Sequence, residues 1–423
     1  MVVNTADQGG GAERFSWLLF KGLERRGVES WLLVGDKRTD DPRVLPLYAS
    51  PYFDYRAYAR WRYRAGLPIL RWLERRVGLE GFSYPFSAHI LELTGPPPDL
   101  VVCVNLHGGY FDLRQLSRLS QRVPLVMRPG DGWLFTGHCA CPLECARWLR
   151  GCGRCPDLKR PPAVARDATR LNWRRKRHIY RKARVYAAAP SQWQMTRLER
   201  SMLMPAVRQR RIIRNGVDQT VFRPGSRLAA RQALGLPPEG LLALVVSNLG
   251  RENPYKDFAT LRAALGLLTQ DLGCPAAQIL VVGGEAPPES WVAVQVRYLP
   301  YCVSPARLAL YYQAADLLVH PSVEESSSFV IAEALSCGLP VLANRAGSLP
   351  AMVADGETGL LVQSRDPEAM ARALRHLLAD AALRERLARH AAVRARGSLD
   401  VERMVDGYLA WFREICANGA TGA

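Results

Sequence analysis

Glu325 and Glu333 are separated by seven residues in the stretch His320-Pro321-Ser322-Val323-Glu324-Glu325-Ser326-Ser327-Ser328-Phe329-Val330-Ile331-Ala332-Glu333-Ala334-Leu335-Ser336-Cys337-Gly338-Leu339-Pro340-Val341. An apolar run, Asp316 to His320, precedes the first carboxylate, and an apolar helix-like run holds the second. This layout predicts a loop after a parallel strand, then a helix that opens at the serines. Such an opening presents backbone N–H groups and partial positive charge to a phosphate. The offset from Glu325 to Glu333 is a little over two turns, so Glu333 lies near the face of the opening loop. A carboxylate there can accept both hydroxyls of a ribose, and Glu325 at the loop edge can hold sugar hydroxyls. A solvated pair of acids is the plainer alternative. It fits less well because Glu333 sits in an apolar run, where an unpaired charge is costly.

Two cations stand upstream. Arg251 ends the segment Asn248-Leu249-Gly250-Arg251, and Lys256 follows five residues later. Past a strand end, a planar guanidinium fork and a point charge suit a diphosphate. On a basic protein the same spacing alone would describe a solvated surface; the carboxylate block downstream gives it meaning. Gly283-Gly284 after an apolar strand lets a nucleotide base approach the backbone, or simply makes a tight turn. Gly9-Gly10-Gly11-Ala12-Glu13-Arg14 follows the first strand and opens a helix, with Gly10 and Gly11 able to bring N–H groups to a phosphate or an acceptor. It is not a dinucleotide G-x-G-x-x-G, which excludes an oxidoreductase reading.

The carboxylate block resembles the E-x7-E signature of retaining glycosyltransferase family four, enzymes of the GT-B fold, including the ending E-A-L-S-C-G-L-P-V. The resemblance implies that Glu333 binds the nucleotide ribose and Glu325 the donor sugar. The backbone of Ser327, Ser328, Phe329 and Val330 would meet the sugar and diphosphate. It implies a diphosphate role for Arg251 and Lys256, and makes Gly10-Gly11 part of a loop that faces the donor. Many members carry a histidine after the fifth strand of the first domain. Here Met127-Arg128-Pro129-Gly130-Asp131-Gly132-Trp133 puts Gly130 in that place, and only the adjacent acid, Asp131, matches. His107 and His138 are nearby in sequence but do not align. Retaining transfer tolerates that loss if a leaving-group oxygen takes the acceptor's proton, so that the protein mainly positions reactants and stabilises charge. Catalysis is then expected from Arg251, Lys256, Glu325 and the helix start, with Asp131 assisting orientation.

These groups require two sets of strands to hold them. Short apolar strands alternate with helical patterns along the chain. Strands are expected at Val2–Thr5, Trp31–Gly35, Leu100–Asn105, Leu125–Arg128, Val185–Ala189 and Arg211–Ile213. The second half repeats the rhythm at Leu242–Ser247, Ile279–Val282, Val296–Leu299, Leu317–His320, Pro340–Ala343 and Leu360–Val362. Continuous apolar strands separated by helices mean parallel sheets buried on both faces. The expected fold class is α/β: two doubly wound Rossmann-like domains, in the GT-B manner facing across a cleft. We assign residues 1–222 to an acceptor-binding domain and 223–397 to a nucleotide-sugar-binding domain. Residues 398–423 form a last helix that crosses back to the first domain.

Cys139, Cys141, Cys145, Cys152 and Cys155 fall as C-x-C-x3-C-x6-C-x2-C in a segment at about 136–160. The Cys152/Cys155 pair has the short reach of zinc knuckles, and four thiolates make a closed structural site. Disulfides, unligated thiols and an iron–sulfur cluster are the alternatives. The segment resembles an insertion in a colanic-acid-like, polysaccharide-building branch of the same family, which implies Cys139, Cys145, Cys152 and Cys155 as the recurring positions. Zinc there would shape a loop; no cofactor is expected for catalysis.

With 423 residues, 48% of them hydrophobic, the chain is globular rather than disordered. No apolar run is long enough to span a membrane, and Met1-Val2-Val3-Asn4-Thr5 runs straight into a glycine-rich turn, so no signal peptide is expected. Ten cysteines without an export signal then suit a reducing, cytoplasmic setting. The net charge of +18 is concentrated: residues 160 to 214 carry 16 Lys or Arg against 2 acids, a net of +14. Asn172 to Arg184 is a basic helix with aromatic anchors, and Tyr55 to Trp72, with Tyr58, Trp61 and Tyr63, adds a second such surface. An anionic membrane and a plain solvated face explain these about equally; nucleic acid is rejected for want of any recognisable module. The expected function is retaining transfer of a sugar from a nucleotide-diphosphate sugar to a lipid-linked surface-polysaccharide acceptor. The enzyme would sit peripherally on the cytoplasmic membrane face. The alternative is a catalytically weak GT-B paralogue that acts as a basic membrane-associated or scaffold protein.

Overall fold

Apolar runs of three to six residues, too short for helices, pair side by side wherever a helix carries the chain back over the sheet. A computed structural model describes residues 1–48, 72–74, 76–82, 84–268 and 275–420. It contains two seven-stranded sheets. The first runs in the order β3-β2-β1-β4-β5-β6-β7, with β1 (Val2–Ala6), β2 (Leu32–Asp36), β3 (Val44–Pro46), β4 (Val101–Cys103), β5 (Leu125–Met127), β6 (Val185–Ala189) and β7 (Val207–Ile212). All its pairings are parallel.

The second runs β10-β11-β9-β8-β12-β13-β14. Its strands are β8 (Leu241–Val246), β9 (Ala277–Val282), β10 (Glu289–Ser290), β11 (Val294–Leu299), β12 (Leu317–His320), β13 (Val341–Asn344) and β14 (Gly359–Val362). Only the β10–β11 pairing is antiparallel. Helices used below are α1 (Gly11–Arg25), α2 (Thr169–Tyr180), α3 (Gln192–Glu199), α4 (Pro305–Ala314), α5 (Phe329–Ser336) and α6 (Val401–Ala420).

Each expected strand is present. The two that were not expected, β3 and β10, are the first edges of their sheets; β3 is a three-residue Val-Leu-Pro run ending in proline, and β10 is the polar pair Glu289-Ser290. The segment expected at Arg211–Ile213 is the tail of β7, whose sequence Val-Arg-Gln-Arg-Arg-Ile alternates half-buried and exposed residues, as an edge strand does.

The chain divides into one unit of Met1–Arg214 plus Val405–Ala423 and another of Asn215–Met404. The division precedes residue 222 because the backbone of Val217 bonds both to Leu399 and to Val401, at 2.8 and 3.0 Å, which ties residues 215–222 to the far end of the second unit. Tyr408, Trp411 and Ile415 are fully buried in the first unit, each worth on the order of 1.5–3 kcal/mol. Tyr408 meets Phe15 edge-on at 5.5 Å, and Asp406 pairs with Arg26 at 2.6 Å. Each unit has its own core.

Among the described residues no helix is long and apolar enough to cross a membrane. Tyr58, Trp61 and Tyr63 of the second basic surface lie outside the described residues. Trp72 at its end is exposed, with the Arg76 guanidinium 4.4 Å from its ring.

Candidate active site

Strand order decides where ligands can enter. In the second sheet the chain leaves β8 toward β9 on one side and later returns to β12 on the other. The loops after β8 and β12 therefore diverge and leave a crevice at the carboxyl ends of the strands. Lys256 comes from the first loop, and Glu325 with the start of α5 from the second.

They meet. The Lys256 backbone bridges Ser322, Asp257 N–H donates to Pro321 O at 2.9 Å, and Val323 N–H donates to Tyr255 O at 3.1 Å. Lys256 Nζ lies 2.6 Å from Glu325 Oε1, 2.6 Å from Ser322 Oγ and 3.2 Å from His320 Nε2. Burial would raise the Glu325 carboxyl, but the Lys256 charge and the bonds to His320 and Lys256 hold it well below the usual carboxylate range. Burial, and then the Lys256 charge, lower the pKa of His320 to about 4, so its ring is neutral near pH 7. A glycine fixes the Glu325 backbone from below: Gly347 has φ +55°, and a Cβ there would stand 2.3 Å from Glu325 O. The next residue, Ser348, donates its N–H to that same oxygen at 2.9 Å.

The helix opens where the serines predicted. Ser328 caps α5, its Oγ accepting from Ile331 N–H at 3.4 Å and standing 3.3 Å from His320 Nε2. Ser327 and Val330 are half-buried, Ser328 and Phe329 buried. His320 Nε2 thus touches both Lys256 Nζ and the Ser328 cap, which sets the start of α5 beside the Lys256–Glu325 pair. Glu333 is completely buried and accepts a hydrogen bond from the Tyr312 hydroxyl of α4 at 2.7 Å. Tyr312 in turn meets Phe222 edge-on.

Arg251 is not with Lys256. Its guanidinium is 3.4 Å from Glu289 Oε1 on β10 and 5.8 Å from the Tyr298 ring centroid, with its side chain 41% exposed. Glu289 also holds Arg262 and Tyr298, each at 2.7 Å. Gly283 and Gly284 have a packing reason of their own. At Gly283, φ is +123° and a Cβ would lie 2.0 Å from Ser247 O; at Gly284 it would lie 2.7 Å from Gly250 N. The turns after β8 and β9 pack backbone to backbone, which only glycine permits.

The first sheet has the same divergence, between β1 and β4. Gly10 caps α1 and Gly11 begins it. The Glu13 carboxylate accepts from the backbone N–H of Gly10, half of a capping box, and burial nevertheless raises its pKa. At the end of β4, Thr5 Oγ1 bonds to His107 O, and His107 Nε2 stands 2.8 Å from Asp131 Oδ2. Asp131 Oδ1 accepts from Trp133 N–H at 2.9 Å, and Gln194 of α3 reaches Asp131 O at 2.8 Å. His107 does not align with the family histidine, yet it reaches the acid beside the vacant position. Each follows one of two adjacent strands, β4 and β5, and that adjacency is what brings them together.

In the cysteine segment, Cys139, Cys145, Cys152 and Cys155 are close enough to influence one another's titration, and all are free thiols. Burial pushes Cys139 up to about 11 and Cys152 to about 12. Cys152 Sγ accepts from Gly137 N–H at 3.2 Å, and His138 Nε2 lies 3.3 Å from Cys155 Sγ. Among the described residues no group of three or more His, Cys, Asp or Glu side chains is arranged to hold a metal ion. In this arrangement the thiols do not form the tetrahedral set that zinc requires.

Residues 241–380 match the family described as glycosyl transferases group 1. The D-inositol 3-phosphate glycosyltransferase of Acidothermus cellulolyticus is 35% identical over 227 residues, which is 50% of this chain and 50% of that protein. The enzyme of the same name from Mycobacterium bovis is 39% identical over 217 residues, 48% of this chain and 43% of that protein. The chain thus spans about half the length of these curated relatives. They are not colanic-acid-type enzymes, so the branch suggested by the cysteine segment is corrected: a local cysteine pattern does not fix the branch of the whole chain.

Among solved structures, sucrose-phosphate synthase from Thermosynechococcus elongatus superposes with a TM-score of 0.67 at 22% identity, covering 99% of this chain and 98% of that one. Anabaena HepE, solved in complex with UDP-glucose, gives 0.64 at 18% identity, covering 98% of each. Residues 241–380 carry a glycosyl transferases group 1 segment, and the described residues have the GT-B fold class of two Rossmann-like domains.

Proposed function

We propose that the chain is a retaining glycosyltransferase that takes a sugar from a nucleotide-diphosphate sugar. The observation that carries this reading is Lys256, held at 2.6 Å from Glu325 at the switch point of the second sheet, beside the opening of α5. In the reaction the acceptor oxygen bonds to the anomeric carbon as the carbon–diphosphate bond breaks on the same face. The acceptor's proton passes to a leaving diphosphate oxygen. The negative charge that develops on the leaving oxygen before the proton arrives is stabilised by Lys256 and the N–H groups of Phe329 and Val330.

Charge arithmetic adds a requirement. Lys256 and Glu325 together are neutral, and His320 is uncharged near pH 7. A dianionic diphosphate therefore needs a further cation, and Arg251 fills this role by turning from Glu289. Glu325 keeps the donor sugar's hydroxyls, and Glu333, steadied by Tyr312, takes the ribose. Gly283 and Gly284 shape the base side. Asp131 acts with His107 to orient the acceptor.

UDP-glucose in the HepE complex and the transferase names of the relatives support a nucleotide-sugar donor. For the acceptor we propose a lipid-linked surface glycan, reached from the cytoplasmic membrane face, consistent with the basic surface of residues 160–214. A structural zinc on Cys139, Cys145, Cys152 and Cys155 stands as a separate proposal from their spacing; it would require the thiols to draw together and lose their protons. The reading as an enzyme is tested by incubating the chain with UDP-, GDP-, ADP- and dTDP-sugars and a lipid-linked acceptor. Release of one nucleoside diphosphate, abolished in Glu325→Gln and Lys256→Ala, is expected. Folded protein that turns over none of them would favour the scaffold alternative.

A further inference from the structure

Six arginines, Arg150, Arg170, Arg174, Arg177, Arg181 and Arg200, line one cavity of about 590 Å³ in the first unit, and no aspartate or glutamate lines it with them. Its size is that of ordinary ligand pockets, which run to about 300–1,000 Å³. Sequence spacing explains the convergence. Positions 170, 174, 177 and 181 recur at helical intervals, so α2 and its C-terminal extension project four guanidinium groups from one face. The opposite face goes into the core: Asn172, Lys176 and Tyr180 are buried, and Lys176 pairs with Glu80 at 2.7 Å. Arg150 comes from the cysteine segment and Arg200 from the end of α3, so three separate elements aim positive charge at one space.

An Arg-rich solvated face would not need a floor. This one has one: Trp173 is buried and carries the Arg177 guanidinium 5.4 Å from its ring centroid. Met202 and Gly151 also line it. Gly151 has φ +114°, and a Cβ there would point to within 3.8 Å of the Trp173 ring, so the missing side chain keeps the space open. Among the described residues none of the six arginines forms an ion pair with a carboxylate, although all six are exposed. Like charges gathered around one space repel, and a multivalent anion reverses the sign of every such term. Arginine forks match phosphate oxygens two at a time.

We propose that this pocket binds an anion with two linked phosphates, a diphosphate, with Trp173 and Met202 beneath it. The site is separate in sequence and unit from the Lys256–Glu325 site, and it does not depend on the transferase reading. A diphosphate could arrive free in solution or as a lipid headgroup, and the two sources share this chemistry.

The test is calorimetric titration of inorganic pyrophosphate into the full chain at low salt. Arg251→Ala/Lys256→Ala removes the other phosphate-binding cations, and pyrophosphate binding is expected to survive in it. Binding should fall by about tenfold in Arg174→Gln/Arg177→Gln and again in Arg200→Glu, which changes a different element. Because these arginines are exposed and unpaired with acids, melting temperatures should match the wild type. Recruitment of wild type, and not of the arginine variants, to phosphatidylcholine vesicles doped with a prenyl diphosphate assigns a membrane source; pyrophosphate binding without recruitment assigns a soluble one. Either supports the pocket. No measurable pyrophosphate binding by the wild type overturns it, as does binding that the arginine variants leave unchanged. Single-stranded RNA that binds more tightly with increasing length and displaces pyrophosphate also overturns it, in favour of a nucleic-acid face.

Discussion

His107 Nε2 stands 2.8 Å from Asp131 Oδ2, joining the loops after β4 and β5, two neighbouring strands of the first sheet. Burial alone would lower the pKa of the imidazole. The Asp131 charge and hydrogen bond outweigh that and raise it, while Lys176 opposes and Glu80 assists. Asp131 moves the other way: burial would raise it, but the His107 charge and bond, the Trp133 N–H and the Lys176 charge lower it. Glu13 also faces His107 from α1.

The sign of the pH dependence follows. A raised His107 pKa contributes stability that is fully present below its unfolded value of about 6.5 and is lost as pH rises through the folded value. A lowered Asp131 pKa contributes stability above about 3.9, lost as pH falls through its folded value. Asp131→Asn should therefore cost most near pH 5.5, on the order of 1.5–3 kcal/mol for a charged hydrogen bond, and much less at pH 9. Urea unfolding at the two pH values checks this. Equal losses at both would dissolve the ion pair as an energetic feature.

Glu325→Gln separates binding from turnover. It removes a negative charge beside the proposed diphosphate position but leaves Lys256. A unit charge at about 4 Å is worth about 1 kcal/mol even in water, so affinity for the free nucleoside diphosphate should rise severalfold while sugar transfer falls. Calorimetry and a transfer assay on the same protein give both numbers. Weakened diphosphate binding would contradict the charge arithmetic.

Tyr312→Phe deletes only the hydroxyl that donates to Glu333. Loss of a hydrogen bond to a buried carboxylate should destabilise by about 1.5–3 kcal/mol and weaken nucleotide binding without altering the pH optimum. Thermal melts and nucleotide titration report the two effects. Unchanged stability would mean that Tyr312 does not hold Glu333.

The cysteine segment can be decided by elemental analysis of protein purified without chelator. The zinc proposal predicts about one equivalent of metal, with thiol titration suppressed until a chelator is added. Less than about half an equivalent with freely reactive thiols would leave a plain cluster of free thiols, as described above.

The sequence carried the central strands because their apolar runs are buried on both faces; β3 escaped because its short run ends in proline, and β10 because Glu289-Ser290 has no apolar residue. The start of α5 was readable from Ser328, whose side chain caps it, and Lys256 from its place past β8. Three relationships were not. Arg251 turns to Glu289 because β10 is an unpredicted antiparallel edge. His320 joins Lys256 and Glu325, though it reads as the last residue of a strand. His107 reaches Asp131 through the β4–β5 adjacency, which spacing of 24 residues does not reveal. His320 and His107 find partners on the loops after neighbouring strands, Arg251 on an edge strand three places along the sheet, and local pattern does not encode strand order.

The most direct measurement is calorimetric titration of UDP, GDP, ADP, dTDP and CMP into the wild type and Lys256→Ala. One nucleoside diphosphate should bind the wild type, CMP should bind far more weakly, and Lys256→Ala should lose at least about 1.4 kcal/mol, a factor of ten. No nucleotide binding to folded wild type, or equal affinity in Lys256→Ala, would contradict the assignment of the β8–β12 crevice as the donor site.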